Sequence, residues 1–172
     1  TIKAGSTDVT SNYVITKQNG TLTVTAKPVT ISWSASTFTY NGSEQYPTAS
    51  ATGVTGETIS FSYSFQATSG SLTSGKSVNV GTYTVTATPA VSGGQALVSN
   101  YNFTGTTQSY TITAKKITVP SAITGLIYNG NTQTGVATGT GYTLTDNTGI
   151  NATSYTATAT LADKNNTTWS DG

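Results

Sequence analysis

The sequence predicts an all-β protein built of two tandem units, and three observations predict it. First, Gly81 to Thr88 alternates strictly, with Tyr83, Val85 and Ala87 on one face and Thr84, Thr86 and Thr88 on the other. That two-residue period belongs to a half-buried strand. Second, Thr153 to Thr160 repeats the design, with Tyr155, Ala157 and Ala159 inward. Third, Asn-Gly turn signals at Asn19-Gly20, Asn41-Gly42 and Asn129-Gly130 punctuate alternating runs, and no window sustains helical periodicity. A β-grasp or another small all-β repeat is the alternative, because strand content specifies class more firmly than topology.

In chain order, Tyr13-Val14-Ile15-Thr16 and Leu22-Thr23-Val24-Thr25-Ala26 read as the arms of a hairpin around Asn19-Gly20. Lys27-Pro28 marks a boundary, since proline cannot donate to a ladder and belongs at a strand end or edge. Val29, Ile31 and Trp33 then alternate with Thr30, Ser32 and Ser34, and Phe38 and Tyr40 lead to the second Asn-Gly turn. Ile59, Phe61, Tyr63 and Phe65 share one strand face and predict the heaviest part of a core. Residues 67–79 read as a loop, the Tyr83 strand follows, and residues 89–100 read as a long connection before Tyr101–Phe103 and Tyr110–Ala114.

An internal repeat sets the domain organisation. Ser11-Asn12-Tyr13 recurs as Ser99-Asn100-Tyr101, Ala26-Lys27 as Ala114-Lys115, and Tyr40-Asn41-Gly42 as Tyr128-Asn129-Gly130, each at a spacing of 88 (128 − 40 = 88). Asn79 to Tyr83 matches Asn151 to Tyr155 at 72, so the second copy is 16 residues shorter in between (88 − 72 = 16). Residues 1–27 read as the closing hairpin of a preceding repeat or a donor strand for a neighbouring subunit, 28–116 as a complete repeat, and 117–172 as a shorter repeat lacking its closing strands. Ala114-Lys115-Lys116-Ile117 passes between units without a Gly/Ser linker, which favours a semi-rigid rod.

Composition excludes several chemistries. Seven lysines, no arginine and six acids leave no basic stripe for nucleic acid. Absence of histidine and cysteine removes the usual general base, thiol catalysis, disulfides and the commonest metal ligands, and a chain without cysteine or methionine suits an oxidising exterior. No apolar run is long enough for a membrane helix. Sixteen aromatics placed in strand register argue against a disordered Ser/Thr stalk.

The landmark stretches resemble the tandem immunoglobulin-like (MBG-type) repeats of Gram-positive cell-surface proteins. Asp8 to Tyr13 through Asn19 to Val24 is similar to the closing motif of such a repeat. Tyr128 to Val136, Gly139 to Leu144, Tyr155 to Asp163 and Trp169 to Gly172 are similar to another variety of it. The resemblance implies tandem Ig-like β-sandwich domains, an extracellular, cell-surface or secreted location and a stalk or adhesin role. It carries over no catalytic or binding residue.

The functional expectation is therefore a non-enzymatic structural repeat of a stalk or fibre, with no cofactor, metal or catalytic residue. Its partner is itself, as adjacent repeats or as head-to-tail copies joined by strand donation, and the donor candidates are Tyr13, Ile15, Leu22 and Val24. Tyr83, Val85 and Tyr155 are the expected core strand residues. The alternative is an adhesin module for host or matrix glycans or a glycoprotein, with Tyr40, Tyr46 or Trp169 as sugar platforms. The six carboxylates, Asp8, Glu44, Glu57, Asp146, Asp163 and Asp171, are scattered and read as solvated. A lysine–asparagine crosslink would draw on Lys27, Lys115 or Lys116 with Asn100 or Asn102 beside Glu44 or Glu57.

Overall fold

A computed structural model describes residues 1–172. The chain is all-β, with two short 3₁₀ turns. Its strands are β1 (Lys3–Ala4), β2 (Thr7–Asp8), β3 (Lys27–Thr30), β4 (Ser32–Trp33), β5 (Thr37–Thr39), β6 (Ala49–Ser50), β7 (Thr58–Ser69) and β8 (Gly81–Ser92). They continue with β9 (Tyr101–Thr104), β10 (Thr107–Thr113), β11 (Lys115–Ile117), β12 (Gln133–Thr134), β13 (Tyr142–Thr145), β14 (Thr148–Gly149), β15 (Thr158–Leu161) and β16 (Thr167–Trp169). The 3₁₀ turns are Thr10–Asn12 and Val98–Asn100.

The alternation that predicts strands also sets the faces of the largest sheet, which has the order β5-β10-β8-β7. β7 and β8 form a long antiparallel hairpin in which Tyr63 faces Ala87 and Phe65 faces Val85. Ile59, Phe61, Tyr63 and Phe65 are half-buried, with the intervening serines exposed. The hairpin is longer than the sequence suggests: β7 continues through Ala67 to Ser69, and β8 continues through Pro89 to Ser92. Proline is accommodated because β10 pairs with β8 only as far as Thr86, which leaves one side of Pro89 without a ladder.

The core lies between this sheet and the short strands above it. Tyr83, Val85, Tyr110 and Ile112 form its centre, with Tyr83 stacked on Tyr110 at 5.6 Å and 28°. The Tyr83 hydroxyl donates to Asn79 O at 2.7 Å, and the Tyr110 hydroxyl donates to Ser77 Oγ at 2.6 Å, so neither buried phenol lacks a partner. Phe38 of β5 meets Tyr110 edge-on. Tyr46 packs on Tyr63 and Phe65, and Trp33 of β4 leans on Tyr63. Phe61 is not among the side chains packed against this group. We expect Phe65→Ala to cost about 3 kcal/mol and Phe61→Ala about 1 kcal/mol, measured by thermal melts, because only the former opens a cavity in packed surroundings.

The second unit repeats parts of the first. β11 pairs in parallel with β16 as β3 does with β9, and β13 pairs antiparallel with β15 as β7 does with β8. The Asn-Gly turns also repeat: Gly42 and Gly130 have φ of 81° and 77°, and Asn41 and Asn129 each accept a hydrogen bond from the backbone two residues on. Burial is where the units part. Eleven residues are buried, and of these only Asn166 lies beyond residue 113.

Two expectations fail here for one physical reason. Tyr155 is 50% exposed and lies outside any strand, because no neighbour stands beside it as Tyr110 stands beside Tyr83. Its ring lies against Gly149 instead, and its hydroxyl accepts from the Ile150 and Asn151 amides. The Tyr13–Ala26 hairpin does not form either: residues 13–26 contain no strand, and Gly20 does not take the positive φ that its turn requires. Val14, Leu22 and Val24 are 99%, 89% and 86% exposed. A two-stranded hairpin with nothing over its apolar face is marginal in water.

Candidate functional site

Two features are candidates for function, the joint between the units and an open groove in the second. At the joint, β10 passes through Ala114 directly into β11, and the Lys115 amide donates to Asn166 O at 3.0 Å. The Asn166 side chain reaches back into the first unit. Its Oδ1 accepts from the Val80 amide at 2.9 Å, and its Nδ2 donates to Asn79 Oδ1 at 3.2 Å.

Asp163 orients that amide. Its Oδ2 accepts from Asn166 Nδ2 at 2.9 Å, and its Oδ1 accepts from the Asn165 and Asn166 backbone amides at 3.2 Å each. The Thr167 hydroxyl donates to the Asp163 carbonyl. Such Asx turns follow from a short acidic side chain that reaches the amides two and three residues on. The Asn166 side-chain amide, foremost, holds the Asp163 carboxyl below its ordinary range; desolvation opposes it, and the Asn166 and Asn165 backbone amides and the Tyr40 hydroxyl add lesser lowering effects.

Because the folded pKa is depressed, this contribution is present above the unfolded value near 4 and is lost as pH falls through the folded value. We expect the joint to loosen below about pH 4 while neutral and mildly alkaline solutions leave it unchanged. Amide chemical shifts of Val80 and Asn166 across an acid titration check this.

The open groove lies in the second unit. A cavity of about 470 Å³ is bordered by Ile123, Leu126, Tyr128, Ile150, Tyr155 and Ala157. Leu126 and Tyr128 are exposed, and Ile127 between them is 80% exposed. Asn147 closes one wall through reciprocal 2.7 Å hydrogen bonds with Val136.

The remaining polar candidates serve the fold. Glu44 pairs with Lys76 at 2.9 Å, and Glu57 accepts from the Tyr101 hydroxyl at 2.5 Å. Asp8 accepts from the Thr10 amide and hydroxyl, and Asp146 sits in a turn with φ of 55°. Of the crosslink candidates, Lys27 is exposed opposite Tyr101 and Asn100 donates to Gln95 O; the lysine side-chain hydrogen bonds are those of Lys76 to Glu44 and Lys116 to Ser170 O, neither of them to Asn100 or Asn102. Of the sugar-platform candidates, Tyr46 is used in the core, and Trp169 tilts against Tyr142 at 5.8 Å. No group of three or more metal-ligating side chains converges.

The Asn166 joint escaped sequence reasoning. The Asp163-Lys164-Asn165-Asn166-Thr167 run signals an Asx turn, but nothing local shows that its amide meets residues 79 and 80, more than eighty positions earlier. Comparison with family models, curated proteins and solved structures gives no significant match.

Proposed function

We propose that the chain is a non-enzymatic structural segment of an extracellular, cell-surface stalk or fibre, made of tandem Ig-like β-sandwich repeats of the MBG type. The observation that carries this reading is the joint: two repeats meet without a linker, and a buried asparagine bonds across them. A stalk needs each unit to restrict the orientation of the next, and a short connection with part-buried cross-unit hydrogen bonds supports this. The outer face of the Tyr83 strand suits exposure to solvent, because Thr84, Thr86 and Thr88 present hydroxyls rather than charges.

The test is the relative motion of the units. Residual dipolar couplings measured on the intact chain should fit one alignment tensor for both, and insertion of a Gly/Ser linker after Ala114 should split them. Two independent tensors in the unmodified chain would overturn the stalk reading.

Register gives a further expectation. Thr84 lies on the outer face of β8, between Ser109 of β10 and Gln66 of β7. Thr84→Lys is expected to change stability by about 1 kcal/mol or less, since the sheet's outer surface tolerates a long charged side chain. Chemical denaturation of the variant checks it.

A further inference from the structure

In the first unit β10 stands between β5 and β8, parallel to the former and antiparallel to the latter. The counterparts of those neighbours in the second unit are Gly125–Ile127, at a spacing of 88, and Thr153–Ala157, at 72. Neither is a strand, and the groove opens between them. Apart from Ile127 O, which accepts from Gln133 Nε2, and Thr153 N, which donates to Asn151 O, the two segments have no backbone ladder, and such rows beside an apolar floor form a template for strand addition.

The chain itself carries a segment patterned like the strand that fills this position in the first unit. Thr21-Leu22-Thr23-Val24-Thr25-Ala26-Lys27 aligns at the same spacing of 88 with Ser109-Tyr110-Thr111-Ile112-Thr113-Ala114-Lys115. Leu22 and Val24 fall on Tyr110 and Ile112, the buried positions of β10, yet both are exposed. The structure extends the match upstream. The 3₁₀ turns Thr10–Asn12 and Val98–Asn100 lie at the same spacing, with Asn12 N to Val9 O and Asn100 N to Leu97 O both at 3.0 Å.

We propose that Gly20–Ala26 of one copy adds as a strand to the groove in the second unit of another copy, parallel to Gly125–Ile127 and antiparallel to Thr153–Ala157. The register of the first unit then sets Leu22 against Tyr155, Thr23 against Ser154 and Val24 beside Leu126. Chain direction requires a second copy. β10 leads through Ala114 into β11, so the donor segment leads through Ala26 into the donor's first unit, which then lies beyond the acceptor's second unit. A chain whose first unit already precedes its second cannot also place it afterwards.

The association is therefore head to tail and open-ended. The linker-free passage between units recurs at each step, with the donor's Ala26-Lys27 in the place of Ala114-Lys115. This deepens the structural-repeat reading and rests on it, by naming the surface through which copies join.

The chain has no cysteine, so single thiols report the contact. A mixture of the Thr23→Cys and Ser154→Cys variants, oxidised in air, should form a disulfide-linked dimer of the two chains, several-fold more than Ser6→Cys mixed with Ser154→Cys. Adding Leu22→Asp and Val24→Asp to the donor should abolish it. A chain carrying both thiols should give a ladder of oligomers. Absence of the dimer, a dimer indifferent to Leu22 and Val24, or closure of the doubly substituted chain on itself each overturns the proposal. Neither thiol position takes part in the Asn166 contacts. Dipolar couplings of the same samples therefore separate failure of strand addition from failure of the rigid-joint reading.

Discussion

Tyr83→Ala is expected to destabilise the first unit by about 3–5 kcal/mol, the range for removing a large buried side chain whose site cannot collapse. Tyr83 is fully buried, stacks on Tyr110, and anchors the Asn79 carbonyl through its hydroxyl. Truncation leaves a void under the central strand of the β5-β10-β8-β7 sheet and removes the donor to a carbonyl beside the joint. Tyr83→Phe separates the two effects. It keeps the ring and loses only the hydrogen bond, at about 1 kcal/mol. Tyr83→Lys, which buries an unpaired ammonium in the same place, should prevent the unit from folding. A Tyr83→Ala unfolding midpoint close to that of the unsubstituted chain would mean that β8 does not face the core as described.

Asn166→Ala is the second large effect, and it falls on the relation between the units. The substitution leaves the Val80 amide without its acceptor and removes the donor to Asp163 and Asn79. Leaving a fully buried donor unpaired costs about 1–3 kcal/mol, and the part-buried Val80 amide falls toward the lower end of that range. The first unit keeps its own core, because the lost hydrogen bonds run to the Val80 amide, Asn79 Oδ1 and Asp163 and none to Tyr83, Val85, Tyr110 or Ile112. The second unit has no other buried residue. Its melting should therefore fall more than that of the first, and separate probes resolve the two, such as Trp33 fluorescence in the first unit and Trp169 in the second. Asn166→Asp keeps the acceptor for Val80 and places a second carboxylate against Asp163, so its deficit should shrink in mild acid. Equal losses in both units would show that Asn166 supports the whole chain rather than the joint.

Strand faces are the most local property of this chain and were legible without its tertiary structure. A side chain's direction on a strand depends only on the parity of its position. Tyr83, Val85 and Ala87 are buried, and Ile59 to Phe65 turn one face inward, as that parity requires. The turns at Gly42 and Gly130 are local in the same sense, since positive φ and an Asx hydrogen bond involve three neighbouring residues. The repeat was equally readable, because a spacing of 88 needs no coordinates.

Coverage and partnership are not local, and only the tertiary structure decided them. Tyr155 has the sequence surroundings of Tyr83 but not its burial, because burial depends on a strand arriving from elsewhere, as Tyr110 arrives 27 positions after Tyr83 (110 − 83 = 27). The parallel pairs β3–β9, β5–β10 and β11–β16 join segments separated by intervening strands, and the sequence names neither partner nor register. Asn166 is the plainest case. Its turn is written in the five residues from Asp163 to Thr167, whereas its role depends on Asn79 and Val80, which the path of the chain alone brings within hydrogen-bonding distance.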